Sequence, residues 1–212
     1  MEPTLNYSGE LYRKSLHLLA LLYPVGYLVL GRTIGLGILI PLSITAIGLD
    51  LLRAKNREVH GWFDRFFGFM MRPEERAFDP SRPPINGASW VTASFTVLIV
   101  LFPAPIAIVS FVLFMIGDAM AAIVGRKLGR HPLGSGGSSW EGTASFMISG
   151  MITALLLGST LVPFAPFDFA LPALIGAVLI AGSLEAAPLP LNDNIVAPIG
   201  AGLFLLAYGW IA

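Results

Sequence analysis

Asp118 is the residue whose surroundings point most directly to chemistry. It lies in "MIGDAMAAIVGRKLGRH", Met115 to His131, where an apolar run carries one carboxylate and then ends in basic residues. A carboxylate inside a membrane-spanning helix is rare and costly, and it usually has a function. On a helix, Ala121, Ala122 and Gly125 share its face, so another group can approach closely. Helix packing explains the small residues, but the cost of the charge favours a carboxylate that binds a divalent cation beside phosphates.

The sequence that follows is basic and then rich in glycine. Arg126 and Lys127 could neutralise phosphate charge, and Gly125 precedes them. Amide groups of the loop 134–137 could form an anion nest in front of a helix N-terminus. A flexible loop with basic membrane anchors is the alternative. No P-loop pattern and no dinucleotide-binding fingerprint is present, so neither of those sites is predicted.

Glu141 admits two interpretations. It stands in "SSWEGT", at the predicted start of the next helix. It is either a catalytic carboxylate or the second member of a capping box with Ser138, in which it bonds back to the N-cap amide.

Two further groups of polar residues are candidates. "LPLNDNIVAP" supplies Asn192, Asp193 and Asn194, which are either a helix-capping turn or ligands for a metal and a nucleotide. "YRKSLH" supplies Arg13 and Lys14, which are either membrane anchors or phosphate-binding cations. His17, one turn later, could carry a proton, although a lone histidine at a helix start is more often structural.

Composition indicates what must position these residues. Of 212 residues, 55% are hydrophobic and 12% are charged, with no cysteine. This excludes a disordered chain, a disulfide scaffold and thiolate catalysis, and it favours one integral membrane domain over 1–212. The formal net charge is zero, so we expect no nucleic-acid partner. The polar N-terminus leads straight into an apolar run, so we expect no cleavable signal peptide.

Seven apolar segments are candidate membrane spans, although the third is short, and they predict an all-α, polytopic bundle. They are Ser15–Gly31, Thr33–Leu52, Gly87–Phe102, Pro105–Gly125, Gly142–Val162, Phe169–Ala187 and Ile195–Ile211. The first two are joined by a tight "GRT" turn.

Charge asymmetry predicts the orientation of this bundle. With the N-terminus in the cytoplasm, twelve of the 13 basic residues fall on the cytoplasmic side and only Arg32 lies outside. The candidate residues then collect at the cytoplasmic ends of the spans. The long loop between Arg53 and Asn86 contains "WFDRFFGFMM", which predicts an interfacial helix on the inner leaflet or, equally, a helix packed under the bundle.

Five motifs in order resemble the polyprenol kinase family, which includes dolichol kinase, phytol kinase and the CTP-dependent diacylglycerol kinase and is related to the phosphatidate cytidylyltransferases. The matching motifs are "RKSLH", "MRPEE" with "NGASW", "GDAMAAIVGRKLGR", "SSWEGT" and "LPLNDNIVAP". The resemblance implies transfer of the γ-phosphoryl group of CTP, or of another nucleoside triphosphate, to a polyprenol, phytol or diacylglycerol-type lipid alcohol. One position departs from the family, because Ser138 stands where a lysine is common.

The resemblance also implies roles for the candidate residues. Positions that match the family's essential or motif positions are Arg13, Lys14, Asp118, Gly125, Arg126, Glu141, Asn192, Asp193 and Asn194. We expect Asp118 and Asp193 to hold Mg²⁺, the basic residues to neutralise the triphosphate, and Asp118 or Glu141 to accept the hydroxyl proton. Asp118→Asn should then abolish turnover with little loss of folded protein.

Two other functions remain open at this point. A phosphatidate cytidylyltransferase would use the same nucleotide and metal but release pyrophosphate. A small ion-coupled transporter would normally show inverted repeats and broken helices, and the sequence shows neither. The identity of the lipid and the oligomeric state are not encoded in any motif.

Overall fold

The chain folds into helices, which confirms the all-α prediction. The computed structural model describes residues 7–76, 78–80, 84–134, 137–157 and 169–211. The helices are α1 (Tyr7–Leu19), α2 (Leu22–Lys55), α3 (Arg57–Phe67), α4 (Pro73–Arg76), α5 (Gly87–Leu101), α6 (Ala104–Leu128), α7 (Trp140–Leu157), α8 (Leu171–Ala186) and α9 (Asp193–Ile211). A two-residue antiparallel hairpin, β1 (Pro132–Leu133) and β2 (Ser138–Ser139), precedes α7.

Several of these helices are apolar enough to cross a membrane. Among the described residues, three helical segments satisfy both length and hydropathy: Tyr7–Lys55, Ala104–Leu128 and Trp140–Leu157. Three more apolar helices are shorter: Gly87–Leu101, Leu171–Ala186 and Asp193–Gly209. A 15-residue helix such as α5 rises only about 22 Å, which is less than the roughly 30 Å of a hydrocarbon core.

Helix α2 turns back on itself at Gly31. This residue has φ 76° and ψ 174°, a conformation essentially reserved for glycine. Tyr23 on one arm lies 3.0 Å from Thr92 of α5, and Ser43 on the other arm lies 2.7 Å from Thr96, measured between hydroxyl oxygens. Residues 23 and 43 of a straight helix would be about 30 Å apart, whereas Thr92 and Thr96 are one turn apart. The two arms therefore form a hairpin, with its turn at the predicted "GRT".

The first predicted span is not one helix. We expected a continuous span over Ser15–Gly31, but α1 ends at Leu19 and α2 begins at Leu22. Pro24 is the reason, because proline lacks the N–H that would bond the carbonyl of Ala20, and its ring clashes with that carbonyl. The chain passes the break through tighter bonds, such as that from the amide of Ala20 to the carbonyl of His17 at 3.0 Å.

The long second loop contains the two short helices α3 and α4. Asn56 begins α3 by accepting bonds from the amides of Glu58 and Val59, which is an N-cap. Arg76 of α4 makes a two-point contact with Asp64 of α3, at 2.6 and 2.8 Å. This bidentate pair joins α3 to α4 within the loop. None of the residues of α3 is buried.

The core is formed around α5 and α6. Its large buried side chains come from every apolar helix from α5 onward: Phe95, Leu98, Ile99, Phe111, Phe114, Met115, Phe146, Leu174, Val178 and Leu205. Gly117 lets α6 approach α7, since a Cβ there would lie 2.7 Å from the ring of Phe146. By contrast, α2 exposes a row of aliphatic side chains: Leu22, Val25, Val29, Ile34, Ile38 and Ile44. Apolar faces of this extent are typical of a surface that contacts lipid or another protein.

Three predictions concern residues outside those that the structure describes. They are the cytoplasmic position of Arg82, the continuation of the fifth span to Val162, and the amides of Ser135 and Gly136 in the glycine-rich loop.

Candidate functional site

Helix α1 has its polar residues inside and its apolar residues outside. Glu10 and Lys14 are buried, with 1% and 3% of their surface exposed, whereas Tyr12 is 60% exposed. Leu16 and Leu19 are also exposed. In a water-soluble helix the arrangement is the reverse. The inverted pattern indicates a helix whose outer face meets an apolar medium and whose inner face completes a polar site.

Three side chains from α1 and α6 form the centre of that site. Lys14 Nζ lies 2.5 Å from Oδ2 of Asp118, and His17 Nε2 lies 2.9 Å from the same oxygen. All three side chains are at least nine-tenths buried. A buried carboxylate with two nitrogen partners on one oxygen is a strongly coupled cluster, not a surface ion pair. The structure thus brings together two predicted residues, Lys14 and Asp118, and adds His17.

A second contact joins α1 to the end of α6. Arg13 forms an ion pair with Glu10, three residues earlier on the same helix. The other oxygen of Glu10 lies 3.9 Å from Arg126. Glu10 therefore lies between two basic residues that are predicted to bind phosphate. Its carboxylate neutralises part of their positive charge. Lys127 is exposed at the end of α6.

The motif "NGASW" belongs to a separate buried network. Asp50 accepts bonds from the amide and side chain of Asn86 at 3.0 and 2.7 Å, and from the hydroxyl of Ser89 at 2.7 Å. Arg53 lies 3.4 Å from Asp50 and donates to the carbonyls of Glu75 and Pro84. This network fixes the loop containing α4 to the end of α2. Most of its polar atoms bond to one another, although Nε of Arg53 has no partner among the described residues, so we interpret it as a structural feature.

Glu75 connects this network to α5. Its carboxylate accepts bonds from the amides of Arg72 and Gly87, both at 3.1 Å. These contacts give "MRPEE" a local structural role.

Glu185 at the end of α8 completes the polar layer. It lies close enough to Asp118, Asp193 and Lys14 to interact electrostatically with all three. Its Oε2 atom is buried and has no hydrogen-bond partner within the described ranges, and the same holds for Oδ1 of Asn194. Buried oxygens without donors are costly. Such oxygens could accept from a donor group of a ligand or coordinate a cation.

"LPLNDN" forms a cap at the start of α9. The amide of Asn194 donates to Oδ1 of Asn192 at 3.1 Å and to Oδ1 of Asp193 at 2.9 Å. Asn192 also accepts, through its carbonyl, the amide of Ile195 at 3.0 Å. Asn192 is therefore the capping residue, and the helix-capping turn predicted as one alternative is present. All three side chains remain partly exposed.

The capping box predicted for Ser138 and Glu141 is absent. The hydroxyl of Ser139 accepts the amide of Gly142 at 3.1 Å, so the cap is one residue later than predicted. Glu141 turns to the hairpin, where its carboxylate lies 2.6 Å from Nδ1 of His131 and 3.3 Å from the amide of the same residue. The sequence could not show this, because β1 and β2 pair only in three dimensions and so return His131 to the start of α7.

Gly125 has a packing role in the structure. A Cβ on it would lie 3.3 Å from Oγ of Ser139 and 3.5 Å from Cα of Gly142. The small face of α6 thus allows the start of α7 to approach. A direct role of Gly125 in nucleotide binding stays a prediction.

An apolar cavity of about 520 Å³ lies beside the cluster, between α1, α3 and α5. Arg13, His17, Glu75 and Asn86 line one part of it. The remaining lining is mostly aliphatic and aromatic, and the volume is within the ~300–1,000 Å³ typical of ligand pockets. His17 lines the cavity and contacts Asp118, so it connects the two.

The sequence analysis did not include Glu10 or Glu185 in the candidate set, and it weighed His17 but favoured a structural role for it. Glu10 lies one turn before Lys14, so a helical face drawn through Lys14 would have included it. Glu185 was visible as an acidic residue near the end of a span, but no local motif singled it out.

Magnesium binding at this site stays a prediction. Within the described residues no three His, Asp or Glu side chains form a group that could hold a metal unaided. Mg²⁺ needs less than this, since it is typically bound by one or two carboxylates with waters and substrate phosphates. Asp118 and Asp193, with the unpartnered Asn194 Oδ1, offer such hard oxygen donors.

No family model matches the chain, and no solved structure matches it. The chain is similar to the Uncharacterized protein RP860 of Rickettsia prowazekii (strain Madrid E). The two are 29% identical over 209 residues, which make up 98% of each chain. This similarity covers every element of the site, and the relative's description names no activity.

Proposed function

We propose that this protein is an integral membrane lipid-alcohol kinase. It transfers the γ-phosphoryl group of CTP, or of another nucleoside triphosphate, to a polyprenol, phytol or diacylglycerol-type alcohol at the cytoplasmic membrane face. The observation that carries the proposal is the buried Lys14–Asp118–His17 cluster at the wall of an apolar cavity.

This arrangement suits a reaction between a charged donor and an apolar acceptor. Phosphoryl transfer depends mainly on positioning and on neutralising the charge of the phosphates. Arg13 provides positive charge at the cavity, and the buried Lys14 provides positive charge beside Asp118. Arg126 and Lys127 provide exposed positive charge at the end of α6. The triphosphate would approach from the exposed pair toward the buried pair, with Asn192 and Asn194 contacting the nucleotide.

Asp118 and Asp193 would hold Mg²⁺ on the triphosphate. The ion would neutralise phosphate charge and fix the orientation of the transferred group. Asp118 already forms an ion pair with Lys14. Its carboxylate would therefore contact both this lysine and the incoming ligand.

Glu141 fits a supporting role in this proposal better than that of proton acceptor. Its carboxylate already accepts from two donors of His131, and it is partly exposed. It fixes the hairpin against α7, next to the basic end of α6.

Seven crossings with the N-terminus in the cytoplasm fit this function. Arg32, the single basic residue expected outside, donates to the carbonyl of Val100 at 3.1 Å. Val100 lies at the opposite end of α5 from Asn86, which bonds Asp50. This separation supports a cytoplasmic end that carries the charged motifs.

Helix α3 would lie at the inner leaflet. Its aromatic side chains are only partly covered, with Trp62, Phe66 and Phe67 exposed. Aromatic residues on an amphipathic helix favour the membrane interface.

The test is direct. Purified protein would be incubated with CTP or ATP labelled on the γ-phosphate, Mg²⁺ and a panel of lipid alcohols in mixed micelles. We expect label in the lipid and release of the nucleoside diphosphate, and we expect EDTA to stop both. Release of pyrophosphate with a nucleotidyl lipid as product would instead identify a cytidylyltransferase. An absence of any lipid product across the panel would refute the proposal.

A further inference from the structure

The cavity between α1, α3 and α5 has an apolar body and one polar part. Leu16, Leu19 and Leu22 line it and are also exposed on the outer face of the protein. The cavity is therefore continuous with the apolar surface of α1. Phe63 and Phe67 of α3 contribute further lining, together with the adaptable side chains of Met70 and Met71.

His17 occupies the boundary between this cavity and the carboxylate of Asp118. The Nε2 atom of His17 lies 2.9 Å from Oδ2 of that carboxylate.

Arg13 adds a free donor at the same part of the cavity. Its Nε atom is buried and has no hydrogen-bond partner in the described parts of the chain. A buried donor without a partner costs free energy unless a ligand oxygen satisfies it. A pure hydrocarbon would leave the Nε donor of Arg13 without a partner. A fully polar ligand would lose its hydration against the leucine and phenylalanine side chains without gaining hydrogen bonds there. The lining therefore fits a ligand with a long apolar chain and one polar end.

We propose that this cavity binds the hydrocarbon chain of the acceptor alcohol and that the oxygen of its terminal hydroxyl accepts a hydrogen bond from Nε of Arg13. The inference rests on the proposed function.

The binding part is tested without turnover. Protein in phosphatidylcholine vesicles would be irradiated with a long-chain alcohol that bears a diazirine, and the labelled residues mapped by mass spectrometry. We expect labelling at Leu16, Phe63 and Met71, which line the cavity. In Ala88→Phe we expect about tenfold less labelling. The added ring would exclude about two methylenes of the bound chain, and the loss of their burial corresponds to about a tenfold loss of affinity. Ala207→Phe is the matched control, because Ala207 is exposed on α9, and we expect its labelling to equal wild type.

A second probe tests the class of ligand. The same diazirine chain without the hydroxyl should label these residues several-fold less. Equal labelling by the two probes would overturn the assignment to alcohols, because the cavity would then be a general hydrocarbon crevice. Labelling that is unaffected by Ala88→Phe would overturn the location.

The outcomes separate the two proposals. Cavity labelling without any phosphoryl transfer supports the alcohol site and refutes the kinase function. Phosphoryl transfer that is equal in wild type and Ala88→Phe refutes the alcohol site and leaves the kinase function intact.

Discussion

Lys14 Nζ lies 2.5 Å from Oδ2 of Asp118, and the contact joins two residues that are 104 positions apart in the chain. Both side chains are buried, so neither charge is compensated by water. Each therefore depends on the other for its electrostatic stabilisation, and the pair holds α1 against α6.

Removing one member of this pair should cost stability as well as activity. In Asp118→Asn the charge of Lys14 stays buried without its partner, and we expect the free energy of unfolding to fall by about 3–5 kcal/mol. This revises the expectation from sequence, in which the variant lost only turnover. Lys14→Met with Asp118→Asn removes both charges and should recover most of the stability while remaining inactive. Thermal unfolding in detergent measures the difference, and identical melting temperatures for the single and double variants would contradict the prediction.

The hairpin in α2 should depend on the absence of a side chain at Gly31. Its φ of 76° with ψ of 174° is unfavourable for any L-residue, so Gly31→Ala should destabilise the protein by roughly 1–3 kcal/mol. Gly37→Ala is the control, because Gly37 lies within the same helix and a Cβ there meets nothing within 4 Å. We expect that change to be neutral or stabilising by up to about 1 kcal/mol. Comparable losses in both variants would mean that the turn tolerates a side chain.

The contact of α6 with α7 should respond to volume at Gly117. A Cβ there would lie 2.7 Å from the fully buried ring of Phe146, so Gly117→Ala should cost about 1–3 kcal/mol. Phe146→Leu should partly compensate when combined with it, giving a coupling energy of about 0.5–3 kcal/mol in a double-mutant cycle. Because Gly117 adjoins Asp118, activity should fall in the single variant and recover in the double. Strictly additive effects would rule out the contact as the cause.

The loop pair Asp64–Arg76 should give a small acid-sensitive contribution to stability. The hydrogen bonds from Arg76 lower the pKa of Asp64 below its ordinary value. A carboxyl group whose pKa is lower in the folded state stabilises the fold above its unfolded-state pKa, near 3.9, and this is lost as the pH falls through the folded pKa. Both side chains are more than one-third exposed, so we expect only about 0.2–1 kcal/mol.

Arg76→Gln tests this contribution. The variant should be less stable than wild type at pH 7, and the gap should close on acidification below the ordinary pKa of aspartate. Arg65→Gln serves as the control, since Arg65 shows no carboxylate partner in the described part of the chain. A gap that persists unchanged in acid would show that Arg76 acts through packing.

The positions of the helices could be predicted, because a span is encoded locally by an apolar run of sufficient length. Helix α5 differs from the predicted span by one residue, and the turn at Gly31 falls within the predicted "GRT". The break before Pro24 could also have been found, since the proline is visible in the sequence. It was missed because hydropathy alone does not register a lost hydrogen bond.

The site was predictable only in its residue types. Asp118 and Lys14 could each be identified from the cost of a buried charge, but their pairing is long-range and leaves no local pattern. The contact of His131 with Glu141 depends on a hairpin of two-residue strands, which is too short to give a periodic signal. The covering of the cavity by Phe63 and Phe67 likewise depends on where the loop folds back.

The inverted polarity of α1 sets an order for the biogenesis of the protein. A segment that carries Glu10, Arg13, Lys14 and His17 is a poor substrate for insertion on its own, because its charges would enter hydrocarbon without partners. Asp118 is synthesised 104 residues after Lys14, which at roughly 5–20 residues per second is a delay of about 5–20 s. We expect α1 to stay at the headgroup layer during that interval. The helix made first would then reach its final depth only after the ribosome has produced α6.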